Sequence, residues 1–140
     1  MKLALGSDHA GFELKEKIKE ILKQKNIGYE DFGPFSDESV DYPDYGHKVG
    51  KYIQENENDL GIVICGSGNG INMTVNKYSK VRSALSWTTE ICELARLHNN
   101  ANVLAIPARF ISEKSALEIV NTFLTTDFEG GRHERRINKI

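Results

Sequence analysis

Short apolar runs alternate with amphipathic stretches along the whole chain. Residues 2–6 read as a first strand. Over residues 12–25, Leu14, Ile18, Ile21 and Leu22 recur at helical spacing, with lysines and glutamates on the opposite face. Asn26 to Gly28 supplies the stop signal. Residues 29–32 predict a second strand, and 33–41 a polar loop rich in turn residues. Residues 45–56 predict a second helix through Tyr45, Val49, Tyr52 and Ile53. The clearest strand pattern, residues 60–65, runs directly into Gly66-Ser67-Gly68-Asn69-Gly70, and a helix follows to about residue 78. Strands over 81–85 and 103–106 then alternate with helices over 88–97 and 112–124, the last with Ser112 as its N-cap. The tail, 127–140, is polar and turns basic toward its end.

Strict alternation of strand and helix predicts an α/β fold with a parallel sheet covered on both faces. Its crossovers should be right-handed. Ligands in such sheets bind at the carboxyl ends of the strands, here residues 6–11, 65–70 and the segment after Ile106.

The chain has 140 residues, one domain's worth. Apolar residues are 39% and charged residues 27%, an ordinary globular balance. A net charge of −2 argues against nucleic acid or an anionic membrane as partner. No apolar run approaches the ~18 residues of a membrane span. The start of the chain is interrupted by Asp8 too soon to read as a signal peptide. Cys65 and Cys92 make no disulfide framework, and a reduced, cytoplasmic protein is expected.

Three segments can carry chemistry. Asp8 and His9, at the end of the first strand, suit proton transfer or anion binding; the plainer role is a helix cap beside a solvated imidazole. Cys65 leads into a glycine loop whose N–H groups can nest an anion and lower the thiol's pKa. An arginine six positions after the cysteine would point to a phosphatase, but Ile71 stands there. In the tail, Arg132 and Arg136 are four apart, so on a helix their two forks share a face and suit a phosphate. His98 and Asn99 close the fourth helix, and Arg109 follows the fifth strand. His47 and His133 have no evident partner, Cys92 reads as structural, and Trp87 as core. No cluster has metal-ligand spacing.

Taken together, Gly6-Ser7-Asp8-His9-Ala10-Gly11, Asp41-Tyr42-Pro43-Asp44-Tyr45, Cys65-Gly66-Ser67-Gly68-Asn69-Gly70, Asn76-Lys77, His98-Asn99 and Gly130-Gly131-Arg132-His133 with Arg136 resemble the ribose-5-phosphate isomerase B family, which includes the galactose-6-phosphate isomerase subunits. The segments span essentially the whole chain. The resemblance implies a Rossmann-like three-layer α/β/α sandwich with a five-stranded parallel sheet, in a single domain over 1–140 whose basic tail, 127–140, contributes to the site. It implies a homodimer with shared active sites, pairing into tetramers left open, and cofactor-free, metal-free interconversion of ribose 5-phosphate and ribulose 5-phosphate in the pentose phosphate pathway. By the same resemblance, Cys65 is the base that moves a proton between C2 and C1. Ser67, where the family usually has threonine, steadies the enediolate with the loop amides of Gly66, Gly68, Asn69 and Gly70. Asp8 and His98 help to open the furanose ring. His9, Arg109, Arg132 and Arg136 hold the phosphate, and Tyr42 and Asn99 contact sugar hydroxyls. His98 and tail arginines are expected to cross between subunits. The GSGNG spelling is associated with a branch that lacks the cysteine and uses a glutamate just after the loop. Here Ile71 holds that position and Cys65 is present, which assigns the cysteine mechanism.

Two other readings compete. A six-carbon sugar phosphate, allose 6-phosphate or galactose 6-phosphate, could be isomerised on the same scaffold. A nucleotide-binding or signalling module would share the sheet but have no use for Cys65 or the tail arginines.

Overall fold

The computed structural model describes residues 1–140. Five strands alternate with helices in the order β1 (Leu3–Ser7), α1 (Phe12–Gln24), β2 (Tyr29–Asp31), α2 (Tyr42–Glu55), β3 (Leu60–Cys65), α3 (Asn69–Val75), β4 (Ser83–Leu85), α4 (Thr89–Asn99), β5 (Val103–Pro107) and α5 (Glu113–Thr125), and a short α6 (Arg132–Ile137) closes the chain. All strand pairs are parallel, in the order β2-β1-β3-β5-β4.

The sheet is sandwiched because successive strand residues point to opposite faces. Leu3, Leu5, Ile62, Ile64, Leu104 and Ile106 pack with Ile18 and Leu22 of α1, Cys92 of α4, and Ile119 and Phe123 of α5. Ala4, Val63, Cys65, Val103 and Ala105 pack with Val49 and Ile53 of α2 and Ile71 and Val75 of α3. This is the expected three-layer α/β/α architecture, with Cys65 on the α2/α3 face.

Ser112 caps α5, accepting from Ser115 N–H at 3.1 Å, and Thr88 caps α4 in the same way. Several boundaries differ from expectation. α2 starts at Tyr42 rather than residue 45, because Pro43 in its first turn is already set for helical φ. α3 ends at Val75, with Asn76 tied to Ser83 through its amide in both directions (2.8 and 3.0 Å). β4 is three residues long, since Arg82 N–H is taken by the Asn102 side chain at 2.7 Å.

Two side chains depart from their expected places. Trp87, expected in the core, is 53% exposed just beyond the carboxyl end of β4. Lys15, one of the lysines expected on the solvent face of α1, is fully buried. Its Nζ lies 2.8 and 2.7 Å from the two carboxylate oxygens of Asp31, and Lys19 and Glu16 complete the network. Burial alone would raise the Asp31 carboxyl, but Lys15, Lys19 and the Gly33 N–H outweigh it and hold it below the usual carboxylate range.

Candidate active site

The order β2-β1-β3 reverses direction at β1, so the carboxyl ends of β1 and β3 flank a switch point where parallel sheets open a crevice. Register pairs Ser7 with Ile64 and Cys65 with Pro107, so Asp8, Cys65 and Pro107 lie side by side where the strands end. Asp8 is buried, and its Oδ1 accepts from Gly11 N–H at 3.1 Å in the turn that starts α1. Thus the acid ties the turn that enters α1 without capping the helix, whose N-cap is Gly11, and it remains next to the thiol. His9 Nδ1 lies 3.2 Å from both the N and the O of Val40, which leaves Nε2 as the free ring nitrogen.

Cys65 is 4% exposed. Burial pushes its thiol up; the N–H groups of Ile71, Gly68 and Gly70 oppose this, and the nearby Asp8 charge adds to it. The net direction is upward, which corrects the expected lowering: the loop amides do face the sulfur, but loss of water outweighs them.

The glycines of the loop are closely approached by their neighbours, and Gly68 is required by its backbone. Gly68 has φ +74°, and a methyl there would meet the backbone of Ile106 and Pro107 at 3.2 Å. A methyl on Gly70 would come 2.4 Å from Tyr42 Cζ, so the tyrosine ring lies directly against the loop. One on Gly66 would lie 3.2 Å from Arg109 Nη1, so the guanidinium lies across the loop from the other side. Ser67 and Asn69 are exposed at the loop's tip, with Asn69 N–H donating to Ser67 Oγ at 3.3 Å. Asp8, His9, Tyr42, Cys65, Ser67, Gly66–Gly70 and Arg109 therefore form one cluster at the carboxyl edge of the sheet.

His98, Asn99, Arg132 and Arg136 do not join that cluster. α4 begins beside the carboxyl end of β4 and returns to the amino end of β5, so His98 and Asn99 lie at the opposite edge. The tail is pinned there. Arg96 Nε donates to Thr126 O at 2.9 Å, a second Arg96 nitrogen bonds Ala101 O, and Glu129 N–H donates to Leu97 O at 3.0 Å. α6 then sets Arg132 and Arg136 on one exposed face, as their spacing predicts, with His133 buried beneath.

His133 was not assignable to a partner by spacing, yet its ring stacks on His98 with centroids 4.1 Å apart and 15° between planes. Glu129 Oε2 lies 3.6 Å from Nε2 of each. Burial, with the neighbouring His98 and Arg132, holds the His133 imidazole below its usual value. The only sequence signal was Glu129 and His133 at i,i+4; His98 joins them through the tertiary fold. Spacing along the chain does not bring these three residues together; the fold does. His47 also gains a partner, its Nδ1 lying 3.0 Å from Tyr78 OH. Cys92 is buried, its Sγ 3.5 Å from Ile119 O, in keeping with a structural role. No helix is long and apolar enough to cross a membrane.

Comparison with known proteins bears on this geometry. The family described as Ribose/Galactose Isomerase matches residues 3–140. A probable ribose-5-phosphate isomerase B of Mycoplasma genitalium is 45% identical over 138 residues, covering 97% of this chain and 91% of its own. A ribose 5-phosphate isomerase from Thermotoga maritima superposes with a TM-score of 0.95 at 54% identity, covering 99% of this chain and 95% of that one. The ribose-5-phosphate isomerase B structure from Mycoplasma genitalium, which has ribulose-5-phosphate bound, superposes with a TM-score of 0.95 at 44% identity, covering 99% of this chain and 92% of that one.

Proposed function

This chain belongs to the ribose/galactose isomerase family, and from that premise we propose how its residues interconvert ribose 5-phosphate and ribulose 5-phosphate. The thiolate of Cys65 takes the proton from C2 of the open-chain aldose and returns it to C1, while the hydroxyl proton on O2 passes to O1. The two carbons are adjacent and the proton stays on one face, so a single base suffices. Between the steps the sugar is an enediolate. The amides of the Gly66–Gly70 loop and the Ser67 hydroxyl steady its charge, preorganised before the charge appears. A raised thiol pKa makes the thiolate scarce but strongly basic, which suits a weakly acidic C–H.

Asp8 and His98 assist opening of the furanose ring. Tyr42 and Asn99 hold sugar hydroxyls, and His9, Arg109, Arg132 and Arg136 hold the phosphate. Phosphate binding energy, gained far from the reacting carbons, keeps C1 and C2 against the sulfur. Hydrogen moves within the substrate, so the reaction calls for no redox cofactor. His98, Asn99, Arg132 and Arg136 reach the cluster from a second copy of the chain. Their position at the far edge of the sheet supports a homodimer with shared sites. We take residues 1–140 as a single catalytic domain acting in the cytoplasm.

The observation that carries this reading is the buried Cys65 thiol with the N–H groups of Gly68, Gly70 and Ile71 turned on it. A six-carbon substrate is not favoured, since the similar proteins named above are ribose-5-phosphate isomerases. The test is turnover by purified protein in EDTA, with kcat/KM compared for ribose 5-phosphate and allose 6-phosphate. The pentose phosphate should be the better substrate; no turnover of it, or preference for the hexose phosphate, would overturn the reading.

A further inference from the structure

Arg96 is 8% exposed at the far edge of the sheet and takes no part in the chemistry described above. A buried guanidinium is costly and is normally matched by a carboxylate. Arg96 belongs to none of the ion pairs of the chain. Its fork is satisfied by neutral oxygens from three segments instead. Nε donates to Thr126 O at 2.9 Å, where the tail leaves α5. Nη1 donates to Ala101 O, ahead of β5, and to Asn100 Oδ1 at 3.3 Å, at the end of α4. The guanidinium lies over the Phe123 ring of α5, 5.6 Å from its centroid. A planar fork can hold separated acceptors at once; the point charge of an ammonium cannot.

The segments that Arg96 joins are those that carry the donated half of the site. His98 and Asn99 stand between Arg96 and Asn100, and the tail that starts at Thr126 carries Arg132 and Arg136. Beyond Arg96 the two segments stay together, with Glu129 N–H donating to Leu97 O at 3.0 Å and the His133 ring stacked on His98. No hydrogen bond of Arg96 reaches the Cys65 cluster.

We propose that Arg96 is a positioning residue for the isomerisation: it fixes the end of α4 to the root of the tail, so that His98, Asn99, Arg132 and Arg136 enter the site of a second copy as one rigid group. It touches no substrate. The proposal rests on the shared-site reading above.

The test uses Arg96→Lys, which keeps the charge but replaces the fork. As a homodimer its kcat/KM for ribose 5-phosphate should fall about 10²-fold, mainly through a higher KM, because the phosphate arginines are misplaced. A merely structural role would reduce the amount of active protein and leave KM unchanged. The lesion should also segregate with the donated half. In a mixed dimer with Cys65→Ala, purified through two tags, one site keeps both halves intact, and roughly half of wild-type turnover should return. His98→Asn paired with Cys65→Ala is the control for the shared site. Recovery in the control alone would overturn the role of Arg96 and leave the shared site standing; recovery in neither would overturn both. Arg96→Gln, which keeps two N–H donors on a shorter stem, should segregate in the same way and decides the matter if the lysine variant does not fold. An unchanged KM, or failure of both variants to fold, would make Arg96 structural and overturn the proposal.

Discussion

Cys65 and His98 cannot serve one sugar within one chain. β5 has five residues, which at ~3.3 Å each makes the sheet about 16 Å deep here. Helix α4, with eleven residues at 1.5 Å, spans about the same distance in the opposite direction. The thiol lies at one edge and the imidazole at the other, several times farther apart than hydrogen bonds allow. A shared site makes a prediction about which chain carries which lesion. Cys65→Ala and His98→Asn should each remove about 10²–10⁴-fold of turnover as homodimers, the usual worth of a positioned acid or base. Coexpressed with two tags and purified as the mixed dimer, they leave one site with both groups intact. That dimer should recover roughly half of wild-type turnover. The converse dimer, a Cys65→Ala/His98→Asn chain paired with wild type, puts one lesion in each site and should stay near background. Ribulose 5-phosphate formation in EDTA reads both. Recovery in the converse dimer with none in the first would refute the division of the site and place His98 with its own chain's thiol.

Four further outcomes follow from the same structure. Asp31→Ala leaves the fully buried Lys15 ammonium without its main partner and should cost about 3–5 kcal/mol in urea unfolding; a loss under 1 kcal/mol would refute the pairing. Asp31 and Glu16 are both held below the usual carboxylate range, so their contribution is complete above that range and lost as pH falls through their lowered values. Unfolding measured between neutral and acid pH should show stability falling in that direction. Alkylation of Cys65 by iodoacetamide, followed by peptide mass, should rise with pH to a midpoint above that of an ordinary thiol, while Cys92, pushed up to about 11, reacts later still. A Cys65 midpoint below the ordinary value would mean that the loop amides outweigh burial. Gly70→Ala displaces the Tyr42 ring and should lower kcat/KM by about 10²-fold, with the unfolding midpoint nearly unchanged because Tyr42 is 39% exposed.

The elements and most of the carboxyl-edge cluster were legible in the sequence, because each rests on local signals: period, caps, and glycines next to a strand end. Ser112, Cys65 and the loop after it needed nothing from elsewhere in the chain. What was hidden depends on distant partners. Lys15 sits among lysines and glutamates that read as a solvated helix face; only its pairing with Asp31 of β2 explains its burial. Trp87 looked like core, but β4 is short and ends before it. The direction of the Cys65 shift needed a weighing of burial against the loop amides, which residue order does not supply. The stack of His98 on His133 arises when the tail folds back on α4, a contact between segments with no shared periodicity.

The most direct test of the central claim, that Cys65 carries the proton, is to compare turnover and binding in Cys65→Ala. Turnover of ribose 5-phosphate should fall by about 10²–10⁴-fold. Ribulose 5-phosphate should still bind within a few-fold of wild type by calorimetry, since phosphate and hydroxyl contacts are untouched. Turnover retained in that variant would contradict Cys65 as the base.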